Sequence, residues 1–273
     1  MAITLLTDVT AAPFVEVFID DLIPEAASLT VYRLAAGREF EMRGAVRAPT
    51  AGAFTRIDFE IPFNIPVTYR AELFDAAGES LGFTDSATTT LICADTWMHN
   101  PLNPSGGVRV ALGGDSAAVI SRPTPGVVSR PLGRRVGVVL SEPRYGVVGL
   151  KLDVRTSNNA DADAVQAMFG DAGMPPVVCV RLGARDGVMR VPQPLFLSTL
   201  NVSELDITHQ WGGGEISHQL DGDEVDPPIP GLFVPLLTRA DLNAFYSTRA
   251  ALNADNLLRL DVNRRYDLAG TAG

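Results

Sequence analysis

Alternation of apolar and polar positions dominates the first third of the chain. In VTYRAELFD, Val67, Tyr69, Ala71 and Leu73 fall on one face while Thr68, Arg70, Glu72 and Phe74 fall on the other. That is the pattern of a half-buried strand with Phe74 as its one apolar exception. FVEVFID (Phe14 to Asp20), SLTVYRLAA (Ser28 to Ala36), FEMRGAV (Phe40 to Val46), AFTRIDFEI (Ala53 to Ile61) and FTDSATTTL (Phe83 to Leu91) are also rich in β-branched and aromatic residues, with turn residues between them. No long helical period interrupts these segments, and two packed antiparallel sheets would bury their apolar faces. Residues 1–93 therefore read as a β-sandwich of fibronectin type III or immunoglobulin size, with Tyr69 a candidate tyrosine corner.

The character changes at ADTWMHNPLNPSGG, whose prolines, asparagines and Gly-Gly pair predict a linker or crossing loop over 94–107, with Trp97 and Met98 available to anchor it against one of the domains. Strand patterns resume at VRVAL (Val108 to Leu112), AAVISR (Ala117 to Arg122), GRRVGVVLS (Gly133 to Ser141), YGVVGLKLDVRT (Tyr145 to Thr156), PVVCVRL (Pro176 to Leu182) and LFLSTLNVSELDIT (Leu195 to Thr208). Among them, NADADAVQAMFGDAG sets Val165, Met168 and Phe169 at helical spacing and ends in Gly170 and Gly173, predicting one short amphipathic helix. GDEVDPPIPGLFVPLL is too rich in proline for a continuous helix. Beyond it, Thr238 and Asp241 form an imperfect capping box ahead of Leu242, Phe245 and Tyr246, predicting helix over 239–260 with a break near Asn253 to Asn256. The expected architecture is mainly β: the sandwich, the linker, a second antiparallel β domain over 108–237 with one short helix, and a C-terminal helical arm over 238–273.

Composition narrows the class. At 273 residues, 46% hydrophobic and 20% charged, the chain has enough apolar material for buried cores. No apolar run reaches membrane-spanning length, and the opening MAITLLTDVTAAPFVEVFIDD lacks a basic region, so neither a membrane anchor nor a signal peptide is expected. A net charge of −10 without a basic block disfavours nucleic-acid binding. Lys151 stands alone beside 21 arginines, a bias suited to fixed protein contacts and equally to the base composition of a genome. Cys93 and Cys179, each in apolar surroundings, read as buried thiols.

Candidate chemistry is sparse. Gly78-Glu79-Ser80-Leu81-Gly82 matches the spacing of a nucleophile elbow, but an extended segment follows where that motif needs a helix, so it reads as a hairpin turn. His209 and His218, with Asp206, Glu215, Asp221, Asp223, Glu224 and Asp226, are the densest set of potential metal ligands, yet no spacing fixes three of them on one ion. They read as a solvated acidic loop, with an interface contact or a metal site as the alternatives. The glycine run at 212–214 lacks a P-loop continuation, and His99 has no acid or nucleophile in its own segment. No catalytic residue, metal site or cofactor is expected, and the chain is not expected to be an enzyme.

Several segments together resemble minor tail or distal tail proteins of long-tailed bacteriophages infecting actinobacteria. They are RGAVRAP with FTRIDFEIPFNIPVTYRAELFDAAG, then DTWMHNPLNP, SRPLGRRVGVVLSEPRYGVVGLKLDVRT and PGLFVPLLTRADLNAFYSTRAALNADNLL, which span nearly the whole chain. The C-terminal segment keeps the family's Ala-Asp-Leu unit once, at Ala240 to Leu242, and departs from it at 249–256. The resemblance implies a sandwich joined to a tail-tube-like or baseplate-like β domain. It further implies a virion protein of the tail tip that forms a ring of six copies and contacts the tail tube and other tail-tip proteins. Trp97, Arg130, Arg134, Arg135, Phe245, Tyr246 and Tyr266 are the candidate interface residues. The alternatives are a carbohydrate or cell-surface binding module and, behind it, a hydrolase.

Overall fold

Leu29, Val31, Arg33 and Ala35 share the inward face of one strand, and an arginine on that face needs a buried acid opposite it. A computed structural model supplies that acid from the facing sheet. It describes residues 2–268 apart from 51, 171–174, 209, 211–212, 229–236, 238, 257–260, 263–264 and 266–267. The first sheet joins β1 (Ile3–Asp8), β2 (Phe14–Ile19) and β6 (Phe54–Asp58) in that order. In the second, β3 (Ser28–Ala35) and β7 (Val67–Phe74) form the centre. The short strands β4 (Arg38–Glu41) and β5 (Ala48–Pro49) share the outer edge of β3, and β8 (Ser80–Phe83) and β9 (Ala87–Thr89) share that of β7. Val15, Val17, Ile19, Leu29, Val31, Val67, Ala71 and Leu73 fill the space between the sheets.

Within this sandwich, Arg33 donates from Nη1 to both oxygens of Asp58 at 2.6 and 2.8 Å. Tyr69 does not form the expected tyrosine corner. Its hydroxyl donates to Asp58 Oδ2 at 2.8 Å, a carboxylate and not the backbone carbonyl of that motif. The Glu60 backbone N–H supplies a further donor to Asp58 at 2.8 Å, so the buried carboxylate is held on several sides.

The second unit begins earlier than its sequence implies. Residues 94–107 are largely a central β-hairpin and not a linker: β10 (Thr96–Asn100) pairs with β11 (Asn103–Leu112) on one side and β15 (Val177–Arg181) on the other. Asn100 and the prolines around Leu102 make the tight turn, the Asn100 side chain accepting from the Leu102 N–H at 2.9 Å and donating to Met168 O at 2.9 Å. From β11 the sheet continues through β14 (Leu150–Thr156) to β18 (Ile216–Gly222), with every strand pair in it antiparallel.

This sheet closes on itself. β16 (Leu195–Ser198) pairs with β15, and its other edge meets the continuation of β18 through Ser198 N–H to Asp223 O at 2.9 Å and Val225 N–H to Phe196 O at 3.0 Å. Strand β17 (Asn201–Asp206) carries the same line onward along β18. Gly222 lies at this seam, where an added Cβ would come within 2.0 Å of Ser198 O, so no larger residue fits without opening the closure. Met98, Val110, Leu152, Val154, Val178, Val180, Leu197 and Leu220 fill the barrel. Helix α1 (Asn159–Gln166), capped by Asn158, adds Val165 to this core, and the turn after it adds Met168, as their spacing predicts.

Several predicted strands differ: FEMRGAV keeps only Phe40 and Glu41, the end of β4, before a turn at Arg43 and Gly44, and FTDSATTTL is interrupted at 84–86. AAVISR is mainly turn, with Ser121 alone bridging to Val148, and only Val138–Ser141 of GRRVGVVLS is strand β13, paired with β12 (Gly126–Ser129). Among the described residues the C-terminal region includes two short helices, α2 (Arg239–Phe245) and α3 (Arg249–Asp255). One break, not anticipated, falls at 246–248, where Thr248 caps α3 by accepting from the Ala251 N–H, and α3 then ends at Asp255 with Asn256 extended, within the stretch where a break was expected. The capping residue predicted for α2, Thr238, lies outside the described residues.

Because Arg33 is wholly buried, Asp58→Asn removes its nearest counter-charge and hydrogen-bond acceptor and leaves only Glu60, 3.6 Å away. We expect a loss of about 3–5 kcal/mol in urea unfolding. Tyr69→Phe, which removes one neutral donor, should cost nearer ~1 kcal/mol. Equal effects from the two substitutions would contradict this assignment.

Candidate interaction surfaces

Strands β10 and β15 are buried on both faces. Met98, Val178, Val180 and Leu182 point into the barrel, while Trp97, His99, Cys179 and Arg181 occupy the opposite face. The register places Trp97 beside Arg181 and His99 beside Cys179. The sandwich covers this four-residue patch. Trp97 packs against the sandwich core, and Arg181 donates to Pro13 O at 2.7 Å with its guanidinium 4.5 Å from the Phe63 ring centre. Around the rim, Arg38 pairs with Glu224 at 3.2 Å, Arg43 donates to Pro228 O at 2.8 Å, and Phe40 meets Phe196 edge-on.

Electrostatics follow from this burial. Desolvation lowers the Arg181 pKa to about 10, since Asp58 and other groups give back only part of the lost hydration. Arg33 behaves oppositely: burial alone would lower its pKa, but Asp58 and Glu60 more than reverse that, and it is raised. Burial also raises the Cys179 thiol and pushes His99 well below the usual histidine range, the latter reinforced by Arg181, Arg43 and Arg33. Among the described residues, neither His99 ring nitrogen has a hydrogen-bond partner. The imidazole is thus a neutral element of the interface, in keeping with its reading as a structural residue. Cys179 is buried and Cys93 half-buried, and both are free thiols.

The other candidate chemistry is dispersed. Ser80 opens strand β8 after the Asp75 to Glu79 turn, and its Oγ donates to Glu72 at 2.7 Å. The acidic segment is not the solvated loop expected: Ile216–Gly222 is the barrel strand β18, paired on both edges, and beyond it Asp223 accepts from the Gly149 N–H at 2.7 Å and Glu224 from the Val147 N–H at 3.0 Å, so both brace the barrel. Buried His218 lies 3.5 Å from Glu204. Its pKa is lowered by burial, with Glu204 opposing. Among the described residues no three His, Cys, Asp or Glu side chains converge as metal ligands. His209 lies outside the described residues.

The predicted interface residues divide into three groups. Trp97 is spent within the chain, on the sandwich. Tyr246 is also engaged internally, with Asp255, Asn256 and Arg265, while Phe245 packs edge-on against it at 4.8 Å and remains largely exposed. Tyr266 lies outside the described residues. Arg130, Arg134 and Arg135, by contrast, come together in the connection between β12 and β13 and are exposed.

That ribbon is the least expected feature of the surface. Its ladder runs outward from the Ser121–Val148 bridge through Tyr145 N–H to Pro123 O and Glu142 N–H to Pro125 O before β12 and β13 pair. Nine residues of extended chain on one side make it roughly 30 Å long. Val127, Leu140 and Val138 lie on one face and Val128 and Val139 on the other, and all are exposed, Val127 by 64% and Val139 by 68%. Sequence reading placed a strand here but not a two-sided projection. The signal was available in the run Val136 to Leu140, too apolar for a solvated edge and bounded by arginine and proline.

No protein-family model, curated protein or solved structure matches this chain.

Neutral His99 gives the interface a pH dependence. An unfolded histidine takes up a proton below about 6.5, whereas the folded pKa is lower, so the unfolded state binds more protons and stability falls as pH falls. His218 acts in the same direction, so the contribution of His99 is read by difference. Between pH 7 and pH 5, His99→Phe should lose about 1–2 kcal/mol less stability than the parent chain. Parallel losses in the two proteins would show that His99 is not held neutral.

Proposed function

We propose that this chain is a structural component of a bacteriophage tail tip, forming a ring at the distal end of the tail tube and joining it to other tail-tip proteins. The observation that carries the assembly reading is the β12–β13 arm. An isolated two-stranded ribbon is marginal in water, and one with valines on both faces gains most by being covered. Its arginine-bearing connection offers planar, fixed donors for a neighbouring chain. The sandwich and barrel, sealed together by Trp97 and Arg181, form a rigid base from which such an arm can reach. Resemblance of the sequence to minor and distal tail proteins supplies the viral setting.

Electron microscopy of phage particles carrying a tagged copy of this chain tests the proposal. The tag should mark the tail end remote from the head, and replacing residues 126–141 by a short Gly-Ser link should abolish incorporation. A label on the head, or full incorporation of the armless chain, would contradict it.

A further inference from the structure

Assembly through the arm, on which this inference rests, requires a surface to receive it, and the same chain carries one. Strand β17 pairs only with β18 among the described residues, so its outer edge presents unpaired backbone donors and acceptors. Leu200 and Leu205 flank or occupy that edge and are 76% and 56% exposed. The charges are complementary. Residues 121–148, the arm and its root, contain five arginines and one glutamate, whereas residues 201–226, which hold β17 and β18, contain seven acidic residues and neither lysine nor arginine. Glu204, on β17 itself, has a side chain 50% exposed.

We propose that the arm of one copy adds as an extra strand to the β17 edge of a second copy. Main-chain hydrogen bonds would extend the β18–β17 sheet, while the arm valines cover Leu200 and Leu205 and Arg130, Arg134 and Arg135 approach the acidic rim. β12 and β13 are exposed along nearly their whole length within their own chain, so the barrel that bears the arm does not cover it. A second copy is the occupant that fits, because it brings both an unpaired edge and the opposite charge. The contact is head-to-tail: each copy gives an arm and receives one, and repetition closes into a ring if the rotation allows.

Two variants on exposed positions separate donor from acceptor. Val128→Asp with Val139→Asp disables the arm, and Ser203→Arg with Leu205→Arg disables the edge by adding charge of the arm's own sign. Light scattering should give a closed oligomer for the parent chain and the 29.1 kDa monomer for each double variant, with unchanged near-ultraviolet circular dichroism. Mixing the two variants should then restore one interface, producing a 1:1 species of twice the monomer mass and nothing larger. If either variant keeps the parent oligomer, or the mixture stays monomeric, the arm and the β17 edge do not meet, although ring assembly itself stands. A parent chain that is monomeric at every concentration overturns both the pairing and the ring.

Discussion

The guanidinium of Arg181 is wholly buried on a face of the barrel that, without the sandwich, would lie in water. Stripping hydration from an ion costs several kcal/mol even after the protein relaxes. The sandwich offsets that through the Pro13 carbonyl, the ring of Phe63 and the nearby negative charge of Asp58. Asp58 can take this part only because Arg33 and Tyr69 hold it in place within the sandwich. The two units are therefore joined by buried polar groups: Arg181 is hydrogen-bonded across the junction to Pro13, and Asp58, held by Arg33 and Tyr69, acts on it through its charge. Trp97 and the Phe40–Phe196 pair add apolar area around it.

Joining the units this way settles which surfaces remain for other molecules. Faces of β10 and β15 that could have been sticky are covered, and the acids nearest the seam brace the barrel. Uncovered apolar side chains cluster on the β12–β13 arm, with Leu200 and Leu205 beside β17, while others such as Leu6, Ile92, Val119 and Val188 are exposed elsewhere. Exposed apolar strands with free edges are the usual sites of chain-to-chain pairing, which natural folds otherwise blunt with charge, proline or cover. Here arginines at the arm tip and acids around β17 add direction to that tendency, favouring a head-to-tail contact over arm-to-arm association.

Much of the mainly β architecture was readable from period-two alternation, because strands such as β7 and β14 are covered on one face and wet on the other. Where both faces are covered the alternation disappears, and reading fails for that reason. Residues 94–107 looked like a linker because Pro101 and the asparagines flanking it mark the tight turn between β10 and β11; the anchoring expected of Trp97 is met by the sandwich, whereas the burial of His99 beside it depends on a domain packed from elsewhere in the chain. Arg33 and Arg181 were hidden similarly: each occupies an inward position of its strand, and only the fold brings Asp58 or Pro13 within reach. The C-terminal aromatics were chosen for their spacing, but Tyr246 is committed to Asp255 and Arg265, contacts between segments whose approach no period encodes.

Amide hydrogen exchange, compared between the isolated chain and the assembled particle, tests the central claim most directly. In the isolated chain, the amides of β12, β13 and the outer edge of β17 should exchange quickly while those of β10 and β15 are protected. Assembly should slow both the arm and the β17 edge and leave β10 and β15 unchanged. An arm that remains unprotected in the particle would contradict the account.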